Sequence, residues 1–516
     1  MNKINNKTVL VSTSSELKDA LENDNGYEYI YLENDITLDS GITVNKNKNS
    51  VTINGTYQNV MHTLTGMNSV DSSDTIVCIS SSQQIKIKNI KIIYTNTNGV
   101  VYVPEDNSSY NTITIYDNVT FTGTQLSVNP YGVVKIDNSN ITIQSTNNVE
   151  SQEVCEAERI IIGGKTNITS NSTNFSLFYF KEDSVSPYVV FSCKSNVIMS
   201  TDTREFMSGT NKLNFTILHD TSAHLTTGNG FANLADYGAN NVLIDERASF
   251  IFLEKSHERI PMWAIFGSLT MKEASTLQII NSYNNTPSDN FNIHFKGTDC
   301  SINLDNPKNL TIYTKNSNVL YTDNVLNFNI KCSRINMWQN STELSQAGDI
   351  NNIPDYYWYK ENDLIKLEGV ITSSLTSITK NNFTPSELQT LSDIGNFTFQ
   401  NRKQFSIGTT YMNIHPVNTS KNTISGHTDS FADVLIKYNS TSEIVNADDN
   451  GLFEYNLPST ISDNTKVELT SNVSGSFIYK TRTITTPFTV ELTLLDANPS
   501  IDFSFVPIVD TYIFQK

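Results

Sequence analysis

The sequence predicts an all-β chain: a right-handed parallel β-helix followed by a small C-terminal β-sandwich. Three observations carry this. A short phrase, an apolar triplet at alternate positions, a polar spacer and a second alternating stretch, keeps returning; VKIDNSNITIQST from Val134 and VLIDERASFIFLE from Val242 are two copies. The composition is that of strands and turns, with 38% hydrophobic and only 17% charged residues, and with Val, Ile, Thr, Tyr and Phe punctuated by Asn, Asp and Gly. After residue 422 the pattern changes to longer clean alternations broken by Asp448-Asp449-Asn450-Gly451, as in a small antiparallel sandwich.

Copies of the phrase begin at Val51, Ile85, Ile113, Val134, Ile160, Val190, Leu213, Val242, Leu269, Ile293, Leu310 and Phe328. The intervals run from 17 to 34 residues, with a mean of about 25, the period of a repeat architecture. Each triplet reads as a short strand with one apolar face, and each D-N-S-like spacer as a tight corner. Such a unit cannot bury its face alone, but stacked parallel on the next one it encloses a continuous apolar column. A sandwich or propeller would need antiparallel hairpin signals that this stretch mostly lacks.

The flanks read as end covers. Thr13-Ser14-Ser15-Glu16 has capping-box spacing and is followed by Leu17, Ala20 and Leu21 on one helical face, which fits a helix over the open N-terminal end. YEYIYLENDITL then suggests a first strand pair. Beyond Trp338 the phrase stops, and residues 339–421 read as a packed cap and connector. Its aromatic cluster Tyr356, Tyr357, Trp358 and Tyr359 serves either to cap the column or to stack on a sugar, and these four are the candidate ligand-binding residues. The expected organisation is therefore 1–40 for the capping helix and first strands, 41–338 for the β-helix, 339–421 for its C-terminal cap, and 422–516 for the sandwich.

With 35 Lys+Arg against 53 Asp+Glu the net charge is −18, which repels phosphate backbones and anionic lipid and sets nucleic acid and membrane insertion aside. The five cysteines, Cys78, Cys155, Cys193, Cys300 and Cys332, are scattered singly, arguing against a disulfide framework or a structural zinc site and for small core residues. Neither an apolar leader nor a membrane-length run nor a wall-sorting signal is read in the chain, so a cytoplasmic start is expected. No metal or cofactor is expected.

The stretch SSELKDAL…YIYLENDITL…ITV…VTINGTYQNVMHTLTG resembles the opening of the pectate-lyase-like adhesive domain of Gram-positive surface proteins, a branch of the pectin-lyase-like superfamily. The resemblance is diffuse and extends over roughly residues 10–415, through FGSLTMKEASTLQI and the Ile335-Asn336-Met337-Trp338 exit. The tail is similar to bacterial Ig-like modules on Ala432, Val434, Ile436, Ala447, Asp448, Gly451, Phe453 and Leu457. Together these resemblances imply a β-helix plus Ig-like fold used for adhesion.

That superfamily also contains lyases and hydrolases. The pectate lyase motifs W-I-D-H and R-x-P-x-x-R do not occur here; the nearest fragment, Arg259-Ile260-Pro261-Met262-Trp263-Ala264, ends in Ala where the second Arg would stand. The polygalacturonase motifs are missing too, Asp448-Asp449 falls in the sandwich turn, and His219 and His224, five apart on a strand, face opposite sides. No catalytic residue is nominated, although a carboxylate pair across neighbouring turns stays open. The expected function is a non-enzymatic structural or adhesive protein of the virion or extracellular surface, a phage or phage-tail-like fibre, appendage or decoration component. Its expected partners are a bacterial cell-surface polysaccharide or protein and other virion proteins, with homo-oligomerisation left open. The alternatives are a Gram-positive surface adhesin and a tailspike-type glycan depolymerase.

Overall fold

The computed structural model describes residues 1–484 apart from 67–74, 81, 105–110, 147–148, 211, 235, 256–261, 283–290, 316–317, 347–348, 361–362, 410–411, 418, 420–421 and 474–475. The described residues form a β-solenoid in which three parallel ladders share one interior. On the first face, Ile136, Ile162, Phe191, Ile217, Ile244 and Met271 are successive register partners, all fully buried. On the second, Phe121, Ile141, Ile168, Met199, Leu225, Phe252 and Ile279 stack in the same way. The third face is shorter and takes bulkier residues: Phe178, Phe206, Phe231 and Trp263 fill the middle of the column, with Trp263 stacked on Phe231 at 4.7 Å between ring centroids.

The repeating phrase is the first face plus its corner. In the ladder register, Val51, Ile85, Thr114, Val134, Ile160, Val189, Phe215, Val242, Leu269, Ile302 and Phe328 are consecutive partners. Two of the expected copies fall elsewhere: Ile293 lies on the third face and Leu310 on the second. The shortest intervals read from the sequence come from these two, since all faces alternate alike and a period-2 pattern does not say which face it lies on.

The corner from first to second face has a fixed backbone and a variable residue. Asn89, Asn118, Asn138, Gly164, Lys194, Asp220, Arg247, Ala274 and Asn306 occupy it on successive turns, all with φ between 48° and 59°. This left-handed region suits Gly and Asn and costs other residues about 1 kcal/mol. Backbone bonds join corner to corner: Lys194 N donates to His219 O at 3.2 Å, Arg247 N to Glu273 O at 3.0 Å and Ala274 N to Asn306 O at 3.1 Å. Directly inside runs a column of buried hydroxyls. Val119 N donates to Ser139 Oγ at 3.0 Å, Ser139 N to Thr166 Oγ1 at 3.4 Å, Gly164 N to Ser195 Oγ at 3.0 Å and Ser195 N to Thr221 Oγ1 at 3.4 Å. These hydroxyls satisfy corner amides that no strand partner reaches.

The N-terminal end is covered by the helix Ser14–Glu22, whose Leu17, Ala20 and Leu21 are buried in the solenoid core. Thr13 caps it, its Oγ1 accepting from Glu16 N at 3.2 Å, but the Glu16 carboxylate accepts from Ser12 N at 2.7 Å, one residue before the expected capping-box partner. The expected first strand pair is instead two faces of one turn: Tyr29–Leu32 pairs with the strands at Thr8–Val11 and Ser50–Asn54, and Ile36–Thr37 with Thr63–Thr65.

At the other end the ladders are closed by strands running backwards. Ile365–Ile371 lies antiparallel on Leu326–Cys332, and Arg402–Gly408 antiparallel on both Asn309–Thr314 and Arg334–Gln339. The outermost strand, Thr376–Asn381, is polar and mostly exposed, which blunts the free edge. Trp358, Phe397, Phe399 and Phe405 plug the end of the core. Beyond it, a three-stranded and a four-stranded antiparallel sheet share their own core around Ile424, Val434, Ile436, Phe453, Val467 and Leu469. Asp448 shapes the turn between them, accepting from Asn450 N at 2.9 Å and Leu452 N at 2.8 Å, with Gly451 at φ 79°. This module docks on the solenoid wall: Phe477 and Tyr479 pack with Tyr313, Trp338 and Leu344, and Asn336 Nδ2 donates to Phe477 O at 2.9 Å.

The corner yields a paired expectation. Ala274→Gly removes a Cβ from a left-handed position and should raise the unfolding free energy by about 1 kcal/mol, and the midpoint with it. Asn138→Ala introduces that strain, deletes the bond that Asn138 Oδ1 accepts from Lys165 N, and should lower it by a similar amount. Guanidinium unfolding followed by circular dichroism measures both, and equal midpoints would refute the assigned role of the corner.

Candidate functional site

The YYWY cluster is divided by the two-residue period of its strand. Tyr356–Tyr359 lies antiparallel on Arg334–Gln339, so alternate side chains point to opposite sides. Tyr356 and Trp358 point one way, stacked at 6.3 Å. Trp358 is fully buried in the solenoid end and donates from Nε1 to Ser392 O at 2.7 Å, while Tyr356 lies under the Arg402 guanidinium at 4.7 Å. Tyr357 and Tyr359 point the other way, stacked at 6.4 Å. Tyr357 meets Tyr479 of the C-terminal module edge-on at 4.9 Å, and the Lys480 ammonium lies 5.0 Å from the Tyr359 ring centre. Of the four expected residues, Tyr359 lines a cleft among the described residues.

That cavity is an open cleft of about 410 Å³ between the cap and the module, lined by Tyr359, Lys360, Asp363, Glu387, Thr390, Leu391 and Arg482. Lys360 follows the aromatic strand; its ammonium is 2.6 Å from Glu387 Oε1, with the side chain only 9% exposed. Glu387 belongs to the short helix Pro385–Leu388 and closes its capping box with Thr384. The hydrogen bond from Lys360, then the backbone N–H of Thr384, hold the Glu387 carboxyl below its ordinary value. A carboxylate stabilised as its anion is a poor proton abstractor but a good hydrogen-bond acceptor. The cleft thus offers an aromatic ring, fixed donors and acceptors of both signs and a hydroxyl, which is equipment for holding a hydroxyl-rich ligand.

Sequence reasoning missed Lys360, Glu387 and Arg482, which three separate segments bring together; the T-P-S-E capping pattern at Thr384 is the one local signal that fixes Glu387 in place.

Three buried carboxylates are held inside the solenoid. Glu205, fully buried, accepts from Asn229 Nδ2 at 2.5 Å and Ser176 Oγ at 3.3 Å, and Glu254, 2% exposed, accepts from Asn281 Nδ2 at 3.0 Å. Burial raises Glu254 well above its ordinary value. Glu153 is also buried, and desolvation, then the neighbouring Glu156 carboxylate, push it up to about 8. Among the described residues no group of three or more His, Cys, Asp or Glu is placed to hold a metal ion. His219 belongs to a corner, 3.1 Å from Asp220, whereas His224 projects from the strand Ser222–Thr227. Of the RIPMWA fragment, Arg259, Ile260 and Pro261 lie outside the described residues; Met262, Trp263 and Ala264 are buried in the core.

Residues 8–128 match the family described as "Putative pectate lyase-like adhesive domain". This adhesive-domain stretch holds the capping helix and the opening turns, and the ladders that continue from it fit a pectate-lyase-like β-helix. No curated protein matches the chain. A solved structure described as "L. reuters 100-23 SRRP" overlaps 59% of this chain and 88% of its own, at 15% identity and a TM-score of 0.33. Among the described residues no helix is long and apolar enough to cross a membrane.

The buried Glu153 generates a pH dependence. A carboxyl held neutral in the fold adds no penalty below pH 4.5, where it is protonated in the unfolded chain too. As pH rises from 4.5 to about 8 the unfolded form ionises first and stability falls, by at most about 1.4 kcal/mol per pH unit from this group. Glu153→Gln should therefore be stabilised relative to wild type by an increment that grows between pH 5 and 8. A difference that stays flat in thermal melts across that range would contradict the assignment.

Proposed function

We propose that this protein is a non-enzymatic adhesive protein that binds a bacterial cell-surface glycan or protein, with the solenoid as rigid shaft and the cleft at the cap–module junction as a contact site. The match of residues 8–128 to an adhesive domain carries this reading. The junction cleft supports the glycan side of it: an aromatic ring beside paired charged groups is what a sugar needs, with apolar C–H faces on the ring and hydroxyls on the donors and acceptors. The C-terminal module, two antiparallel sheets around one core, we read as Ig-like.

As carrier we propose a phage or phage-tail-like particle, in which the protein is a fibre, appendage or decoration component. All five cysteines are free thiols, and Cys193 is exposed. Unpaired thiols fit a chain that folds in a reducing cytoplasm and leaves by lysis. The adhesive-domain match favours a second reading, a surface adhesin of a Gram-positive bacterium. Immunogold labelling separates the carriers, since gold on particles supports the first and gold on cell walls the second.

Fluorescently labelled full-length protein should sediment with intact Gram-positive cells, and Tyr359→Ala should weaken this about tenfold, the size of one lost aromatic contact. Incubation with wall polysaccharide should release no new reducing or unsaturated ends. Release of such ends would replace this reading with a depolymerase.

A further inference from the structure

A second cleft, of about 400 Å³, lies on the shaft and is lined by Asn111, Tyr131, Glu158, Arg159, Asp183 and Val185. These residues come from the corner where the third face runs into the first. Ile113 pairs with Val133, Val133 with Arg159, and Arg159 with Tyr188, so the corner loops of consecutive turns lie side by side.

One of these loops, residues 180–187, is laid along the shaft as a strap. Toward the N-terminal turns, the Lys181 ammonium lies 4.7 Å from the Tyr131 ring centre and the Tyr131 hydroxyl donates to Asp183 Oδ2 at 3.2 Å. Toward the C-terminal turns, the Tyr237 hydroxyl donates to Glu182 Oε1 at 3.0 Å. The Glu158 carboxylate fixes the base of the strap, accepting from Val185 N at 3.1 Å and Ser186 N at 3.3 Å, and it also pairs with Arg159, whose guanidinium reaches Asn111. Val185 stands 87% exposed at the rim.

The chemistry parallels that of the junction cleft: a tyrosine ring, a guanidinium and an amide as donors, two carboxylates as acceptors, and an apolar rim. The carboxylates of Glu158, Glu182 and Asp183 outnumber the cations Arg159 and Lys181 by one, so the cleft has no attraction for an acidic ligand. The chain's net charge of −18 adds a general repulsion against acidic polymers. We propose that this shaft cleft is a second glycan-binding site, taking a neutral pyranose oligosaccharide with a sugar ring against Tyr131 and its hydroxyls on Asp183, Arg159 and Asn111. The inference rests on the reading of the protein as a glycan-binding adhesin and extends it from one contact to two.

The test uses the full-length protein and three variants, Tyr131→Ala, Tyr131→Phe and Tyr359→Ala, titrated calorimetrically with maltotetraose, mannotetraose and chitotetraose as neutral probes and tetragalacturonate as the acidic one. The expected result is two equivalents of a neutral probe on the wild type, one on Tyr131→Ala and one on Tyr359→Ala, with Tyr131→Phe still binding two. Thermal melts matching wild type show that the variants are folded. A neutral probe that binds once and is unmoved by Tyr131→Ala overturns the second site, and binding confined to tetragalacturonate overturns its chemistry. Sedimentation with intact cells is run in parallel. Cells bound without any probe bound overturn this inference alone, whereas a protein that binds neither overturns the adhesin reading beneath it.

Discussion

From Asn89 to Asn306, nine successive turns of the solenoid change direction between their first and second faces by placing one residue at φ near +55°. The ladders depend on this. A strand that left the corner one residue early would enter the second face with its apolar side chains outward, because a one-residue slip inverts the whole alternation. The backbone bonds between successive corners and the buried hydroxyl column inside them hold the register, so the apolar columns on both faces inherit their alignment from a polar feature.

The ends follow from the same geometry. A parallel stack can always accept another turn, and this one stops because the covering segments cannot propagate it. At the N-terminal end a helix buries Leu17, Ala20 and Leu21 against the first turns. At the other end, reversed strands occupy the ladder positions, and the last of them is polar and short of apolar surface. The junction cleft is a by-product of this closure: the strand that carries Trp358 inward must carry Tyr359 outward, beside the module that Phe477 and Tyr479 hold to the wall.

Much of this was legible in the sequence, and the parts that were not have physical reasons. The repeat, the helix start at Thr13 and the Asp448 turn are local patterns, visible wherever one segment determines its own structure. The face to which Ile293 and Leu310 belong was not legible, because three faces with the same alternation write the same text. The spacers looked variable in side chain and were constant in backbone; Asn138, Gly164, Lys194 and Asp220 share a conformation that only Asn and Gly advertise. Both clefts escaped because they join residues from distant turns or segments, such as Tyr131 with Asp183 and Lys360 with Glu387. Within YYWY, chemistry gave four candidates; pleat geometry turns Tyr357 and Tyr359 to one side, where Tyr357 meets Tyr479 and Tyr359 lines the junction cleft.

The docking of the module on the wall also sets a path for mechanical load. Tension applied to the module enters the shaft through Phe477 against Trp338 and Tyr479 against Tyr357, and so reaches several strands side by side. A tether that bears on a packed sheet must shear many bonds together, whereas one that pulls on a single strand end peels them one at a time. That difference governs how much load the joint between module and shaft withstands.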